Sequence, residues 1–332
     1  MPLIEVKVPM VCPKVSTIMR RAAVYPPLTV VAAALLAAAA VPPALAAGHG
    51  PRAGHGRAGP ATAPPVIAYI ANASLNAGPE GQRVVTPVNT ATNKPGKPIA
   101  AGNSPGAIVI TPDGKTVYVA DLGSDTVIPI STATNKAAKP IKVGPSPSAM
   151  AVTPDGKTLY VANSGAFFGR TLGHTVTPVS TATNKPGKAI EVGTDPLWAA
   201  ITPDGKTVYV ANALSNTVTP ISAATNKPGK AIKTAVYPWR IAITPNGKTA
   251  YVADEGPKTG SHVTPIATAT NKPGTSIKIG EEANWIAVTP DGKTVYVTDP
   301  ITRTVTAIAT ATNTVIARIT VGGYPSDITF GP

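Results

Sequence analysis

Trp198, Trp239 and Trp285 are the only tryptophans of the chain, and each sits in a loop-like stretch that also carries charge. Arg240 follows Trp239 directly. Asp195, Glu281, Glu282 and Asp327 lie in matching stretches, with Tyr237 and Tyr324 beside them. Convergent carboxylates and a cation can run acid–base chemistry. Aromatics with a few charges can instead hold a small ligand, a sugar or a peptide end. Other recognisable chemistry is missing from the sequence. There is no Gly-x-Ser-x-Gly, His-Glu-x-x-His or phosphate-loop motif. The histidines are scattered as His49, His55, His174 and His262, and the one cysteine is Cys12. These residues predict no zinc site, no disulfide and no other cofactor.

The elements that must position these residues come from internal repetition. A Thr-Ala-Thr-Asn phrase, or a one-letter variant, ends at Asn93, Asn135, Asn184, Asn226, Asn271 and Asn313, in steps of 42, 49, 42, 45 and 42 residues. Each unit holds four short β-type runs. In the second unit these are 107–111, 116–121, 126–130 and 140–143, here called A, B, C and D. A Pro-Asp-Gly turn joins A to B, with Pro presetting φ and Gly taking a left-handed position. Only 14% of residues are charged, whereas 30 glycines and 37 prolines would interrupt long helices. Four antiparallel strands per period predict an all-β fold of propeller blades.

The B runs contain Tyr-Val-Ala-Asn/Asp-type phrases that begin at Tyr69, Tyr118, Tyr160, Tyr209, Tyr251 and Tyr296. Five follow a Thr-Pro-Asp-Gly-Lys phrase (Asn246 replaces Asp in one). On these residues the chain resembles the YVTN-type β-propeller repeat family over residues 65–332. That resemblance implies a propeller and says little about activity, because related propellers include binding proteins, surface-layer proteins and a few lactonase-like or lyase enzymes. Many such relatives have seven blades. Strand counting here gives six, with the C-terminal run Asp327-Ile328-Thr329-Phe330 completing the blade built from residues 66–101 and pairing the chain ends.

Up-and-down connectivity separates two faces. The A–B and C–D connections share one. It carries Lys115, Lys157, Lys206, Lys248 and Lys293 in the hairpins, and Lys94, Lys97, Lys136, Lys139, Lys185, Lys188, Lys227, Lys230 and Lys272 in the C–D loops. Asp113, Asp155, Asp204 and Asp291 offset part of this charge. A net charge of +13 concentrated on one side favours polyanions. The partner expected is an anionic cell-wall polymer. Nucleic acid is disfavoured because no aromatics interleave the lysines. The plainer alternative is that lysine merely solubilises a duplicated turn.

The D–A and B–C connections share the opposite face. Aligning the D–A loops on Pro105, Pro147, Pro196, Pro238, Ala283 and Pro325 puts Ala107, Ala149, Trp198, Arg240, Trp285 and Asp327 in one column. The tryptophans then ring one mouth of the central channel, as a ligand site or as a plug packing adjacent blades. Insertions at Ala73–Arg83 and Ser164–His174, the latter with Phe167, Phe168 and Arg170, project to the same face. The repeated Asn72, Asp121, Asn163, Asn212, Asp254 and Asp299 read as turn formers rather than a metal ring.

Arg20 and Arg21 precede an apolar run from Leu28 to Val41 that exits through Ala44-Leu45-Ala46-Ala47. This is the pattern of a secretory signal peptide spanning residues 1–46, with a start at Met19 fitting it better. Residues 47–64 read as a flexible linker. The Arg pair matches a twin-arginine signal weakly, and no C-terminal sorting motif is present. The sequence therefore predicts a secreted, extracytoplasmic, monomeric propeller that binds rather than catalyses, with a channel-mouth enzyme as the alternative.

Overall fold

The computed structural model describes residues 33–34, 66–72, 83–165, 171–256 and 260–330. Among these, every regular element is a β-strand, and the strands form six antiparallel sheets that follow one another in chain order. The sheets coincide with the six sequence units. The predicted leader (apart from residues 33–34), the linker, Cys12, His49, His55, residues 73–82 and the Phe167, Phe168, Arg170 insertion lie outside the described residues.

The B strands form the centre of each sheet. In Thr116–Asp121, residues Val117, Tyr118, Val119 and Ala120 are at most 1% exposed, so both faces of the strand are covered. A sheet covered on both faces must lie between two others. Hydrophobic clusters fill each successive interface, for example Tyr160 and Ile190 of the third sheet against Val208 and Val210 of the fourth. The same arrangement recurs from the first sheet to the sixth. No buried cluster of described residues joins the sixth sheet to the first.

Each interface is also latched by a polar bond. The hydroxyls of Tyr69, Tyr118, Tyr160, Tyr209 and Tyr251 donate to Oδ1 of Asn135, Asn184, Asn226, Asn271 and Asn313, each in the following sheet, at 2.6–2.8 Å. These asparagines hold φ between 52° and 55°, a left-handed position that Asn tolerates better than most residues. The Thr-Ala-Thr-Asn loop thus ends in the acceptor that the preceding sheet needs. The hairpin turns stack as well, with Gly156, Gly205, Gly247 and Gly292 packed against Pro112, Pro154, Pro203 and Pro245 of the preceding sheet.

The outer strand departs from expectation. The C strands of the first five sheets carry a central proline (Pro87, Pro129, Pro178, Pro220, Pro265), which offers no N–H outward. The D strand therefore breaks into short pieces, such as Lys185–Pro186 and Ile190–Glu191, both paired with Thr175–Ser180. Between them Gly187 N–H donates to the Pro178 carbonyl at 2.7 Å. In the sixth sheet Ala307 replaces the proline, and Thr314–Thr320 runs as one continuous strand.

The expected C-terminal clasp is also not seen. Asp327-Ile328-Thr329-Phe330 forms no strand. The inner edge of Ile67–Asn72 is paired instead by Ala33–Ala34 from the predicted leader. An unpaired strand edge accepts any extended segment within reach, and the apolar leader supplies one. Phe330 packs near Tyr296 of the sixth sheet, with ring centroids 5.9 Å apart.

Candidate ligand and polyanion surfaces

Backbone hydrogen bonds fix which loops share an end. Thr132, Thr181, Thr268 and Thr310, in the C–D loops, donate to the carbonyls of Lys115, Lys157, Lys248 and Lys293 in the A–B hairpins of the same sheets. At the other end, Leu122, Ser164, Ala213 and Glu255 donate to the carbonyls of Ser104, Ser146, Asp195 and Tyr237. The first set gathers hairpin and loop lysines, and the second joins the B–C and D–A loops. The two-faced sorting read from strand connectivity holds in each of these sheets.

Within the lysine end, the two classes of lysine differ. Lys115, Lys157, Lys206 and Lys293 each lie 3.5–3.8 Å from the aspartate of their own turn. Those carboxylates are held below their usual pKa, first by the hydroxyl of Thr111, Thr153, Thr202 or Thr289 and then by a backbone N–H. The hairpin ring is therefore largely self-neutralised, except at Lys248, whose turn has Asn246 in place of the aspartate. Lys94, Lys97, Lys136, Lys139, Lys185, Lys188, Lys227, Lys230 and Lys272 are exposed and have no ion-pair partner among the described residues. The uncompensated charge sits on the outer rim of the first five sheets. The sixth has Thr314 and Val315 there.

At the opposite end the column of D–A residues meets. Arg240 packs against two indoles, its guanidinium carbon 4.5 Å from the Trp198 ring centre and 3.9 Å from that of Trp285. The two indoles are themselves edge-on, 5.8 Å apart. Trp239 lies on the same cation at 6.0 Å and stacks on Tyr237. Trp198 Nε1 donates to the Ile241 carbonyl at 3.1 Å, and Arg240 Nε donates to the Asn284 carbonyl at 3.0 Å. These bonds tie the inner strands Pro196–Ile201 and Pro238–Ile243 to the loop before Ile286–Val288. Burial lowers the Arg240 pKa to about 10, while Asp327 acts in the opposite sense. Indoles packed on a desolvated cation compensate it in part through the ring quadrupoles.

The acidic residues predicted for the same mouth sit in different surroundings. Asp195 is buried and its carboxyl is raised to about 7 by desolvation. It lies within electrostatic reach of Tyr237, whose hydroxyl is itself raised by burial. Glu281 is exposed, and its backbone N–H donates to Asp299 Oδ2 at 2.8 Å. Glu282 is half-buried, and Tyr324 is 68% exposed. Asp327 and Arg240 act on each other electrostatically. His174 pairs with Glu191 at 3.3 Å in an exposed position. Among the described residues no three His, Cys, Asp or Glu side chains gather closely enough to share a metal ion.

The sequence reading missed Asn284, and for Asp254 it missed the burial. Asn284 matters through its carbonyl, which any residue type would supply. Asp254 is fully buried, bonds Thr264 Oγ1 at 2.5 Å and has its carboxyl raised to about 7 by desolvation. The repeat column gave a clue here, because Asn163 and Asn212 occupy the equivalent place and donate to Thr177 and Thr219. Asp121 and Asp299 accept loop N–H groups of the neighbouring D–A connection. The column thus braces turns.

Repeated four-stranded units, six consecutive sheets and a common mouth define a β-propeller. Family models agree over parts of the chain: a YNCE-like beta-propeller over residues 137–257 and a seven-bladed beta-propeller lactonase over residues 71–165. Among solved structures, hydrazine synthase of Kuenenia stuttgartiensis is similar, with a TM-score of 0.65 and 24% identity, covering 78% of this chain and 85% of that one. A functionally unknown protein from Desulfotomaculum acetoxidans DSM 771 gives a TM-score of 0.58 and 18% identity, covering 76% and 81%. No curated protein matches. The structural likenesses establish the fold.

Proposed function

We propose that this chain is a secreted, six-bladed propeller that works as a binding scaffold at the cell envelope. Its loop-lysine rim docks an anionic polymer and its aromatic mouth holds a ligand. The observation that carries the docking half is the contrast between the two lysine classes. Hairpin lysines carry their own counter-ions, whereas the loop lysines of five successive sheets present charge outward with none. Such a rim binds polyanions through many weak contacts that salt screens. Association with envelope fractions is the test. Release by moderate salt supports docking by charge, and retention at high salt rules it out.

Closure into six blades is supported by the two unmatched ends of the latch series. Five tyrosines bond the asparagine of the next sheet, which leaves Tyr296 of the sixth and Asn93 of the first. Asn93 already holds φ 54°, like its five counterparts. On cleavage of the leader, Ala33–Ala34 is removed from the edge of Ile67–Asn72, and the C-terminal run 327–330 takes its place. In a closed ring Tyr296→Phe destabilises by as much as Tyr160→Phe, about 1–2 kcal/mol for a lost buried hydrogen bond. Thermal unfolding of the mature protein reads this directly. A Tyr296→Phe variant indistinguishable from wild type, beside a destabilised Tyr160→Phe, means the ring is open.

The match to a lactonase model favours a second reading, a channel-mouth hydrolase or lyase. That match ends at residue 165, before Trp198, Trp239, Arg240 and Trp285. Turnover of simple lactones that is lost on Arg240→Gln would support it over the binding reading.

A further inference from the structure

The mouth contains a cation packed against two indoles, with the outer edge of its fork left unbonded. Trp198 and Trp285, their rings 76° apart, both pack on the Arg240 guanidinium, and of its nitrogens only Nε is used, by the Asn284 carbonyl. The Nη1 and Nη2 edge has no hydrogen-bond partner among the described residues. The edge of the fork is therefore the part of the cation left for a ligand to bond. Bulk in this column is confined to the fourth, fifth and sixth sheets, since Ala107 and Ala149 stand there in the second and third. The nearest opposing charge is Asp327 of the C-terminal segment, close enough to act on Arg240 but not in direct ion-pair contact.

We infer that Arg240 is an anchor for the carboxylate of a small ligand, and that Asp327 is its built-in competitor. The inference rests on reading the mouth as a binding site and adds the ligand class. A planar fork with two parallel N–H donors matches a carboxylate in bidentate fashion, which an ammonium cannot do. The two indoles and the Nε bond to Asn284 hold the guanidinium in place, so little side-chain freedom is lost when the ligand arrives. The indole walls suit a carboxylate carried on an apolar body better than free phosphate, which is hydrated all round. A carboxylate entering beside Asp327 is repelled by it, so the aspartate sets a threshold on affinity and excludes weak anions. The loop-lysine rim lies at the other end of the propeller and takes no part.

All three tryptophans of the chain lie at this mouth, so intrinsic fluorescence reports on it without a label. The experiment titrates the full chain at constant ionic strength with benzoate and, separately, with benzamide. Benzoate is expected to change the fluorescence saturably while benzamide does not. Asp327→Asn, at an exposed position, is expected to tighten benzoate binding about fivefold or more by removing a like charge. Arg240→Lys keeps the charge but loses the fork, and is expected to weaken binding at least about tenfold. Its thermal midpoint is measured alongside, so that loss of fold is separated from loss of the anchor. Equal responses to benzoate and benzamide would overturn the carboxylate assignment while leaving a binding mouth. No response to either, in wild type and Asp327→Asn alike, would overturn the mouth as a binding site together with the inference. Unchanged affinity in Asp327→Asn would overturn the competitor role alone.

Discussion

Exchanging Lys94, Lys97, Lys136, Lys139, Lys185, Lys188, Lys227 and Lys230 for glutamine is expected to reduce affinity for inorganic polyphosphate by roughly 10- to 1000-fold at low salt. The range follows from about 0.2–1 kcal/mol for each exposed charge pair, with several engaged at once. The companion exchange of Lys115, Lys157, Lys206 and Lys293 is expected to do much less, because each already faces the aspartate of its own turn. Net charge falls by eight in the first variant and by four in the second. An effect of net charge alone would therefore scale about two to one between the variants, whereas the rim predicts a far larger ratio. Affinities of both variants across a salt series separate the two outcomes. Neither set of lysines touches the sheet interfaces, so both proteins should fold as wild type does.

Asp254→Asn is expected to stabilise the protein at neutral and alkaline pH. The buried carboxyl is raised to about 7 from an ordinary value near 3.8, by desolvation. Between those values the folded state keeps a proton that the unfolded state has lost, so stability falls as pH rises from 4 to 7. Above 7 the cost is complete, and Asn removes it. The gain at pH 8 is on the order of 2–4 kcal/mol and vanishes below pH 4. The chain contains its own precedent. Asn163 and Asn212 fill the same repeat position and donate to Thr177 and Thr219, as the new amide would to Thr264. Denaturant unfolding at pH 4 and pH 8 tests this, and equal effects at both pH values would mean that the carboxyl ionises freely in the fold. Asp195, raised by the same cause to about 7, shifts the pH profile in the same direction.

Much of this molecule can be read from residue types alone, because a repeat exposes which positions are constrained. The Pro-Asp-Gly turns, the Tyr-Val-Ala strands and the alternation of loops between two faces follow from local chemistry, and the column holding Trp198, Arg240 and Trp285 came out of that alignment. What the sequence hid lies between sheets. Tyr160 and Asn226 are 66 positions apart, and nothing local links a strand tyrosine to the loop asparagine of the next unit. The split outer strand was in principle legible from Pro87, Pro129, Pro178, Pro220 and Pro265, since a mid-strand proline denies its outer neighbour a donor. The C-terminal clasp was not. Pairing at an open edge is decided by which extended segment is nearby, and at Ile67–Asn72 that segment is Ala33–Ala34. Likewise the acids Asp195, Glu281 and Glu282 share a loop class with the tryptophans but differ in burial, which the loop alignment does not reveal.

The proposed division of the propeller into a polyanion-docking end and a ligand mouth is tested most directly by lysine acetylation footprinting read by mass spectrometry. The protein is acetylated with and without saturating polyphosphate. Protection is predicted at Lys94, Lys97, Lys136, Lys139, Lys185, Lys188, Lys227 and Lys230, with tryptophan fluorescence unchanged. Uniform weak protection of all lysines, or a fluorescence change at the mouth with the rim still reactive, would contradict it.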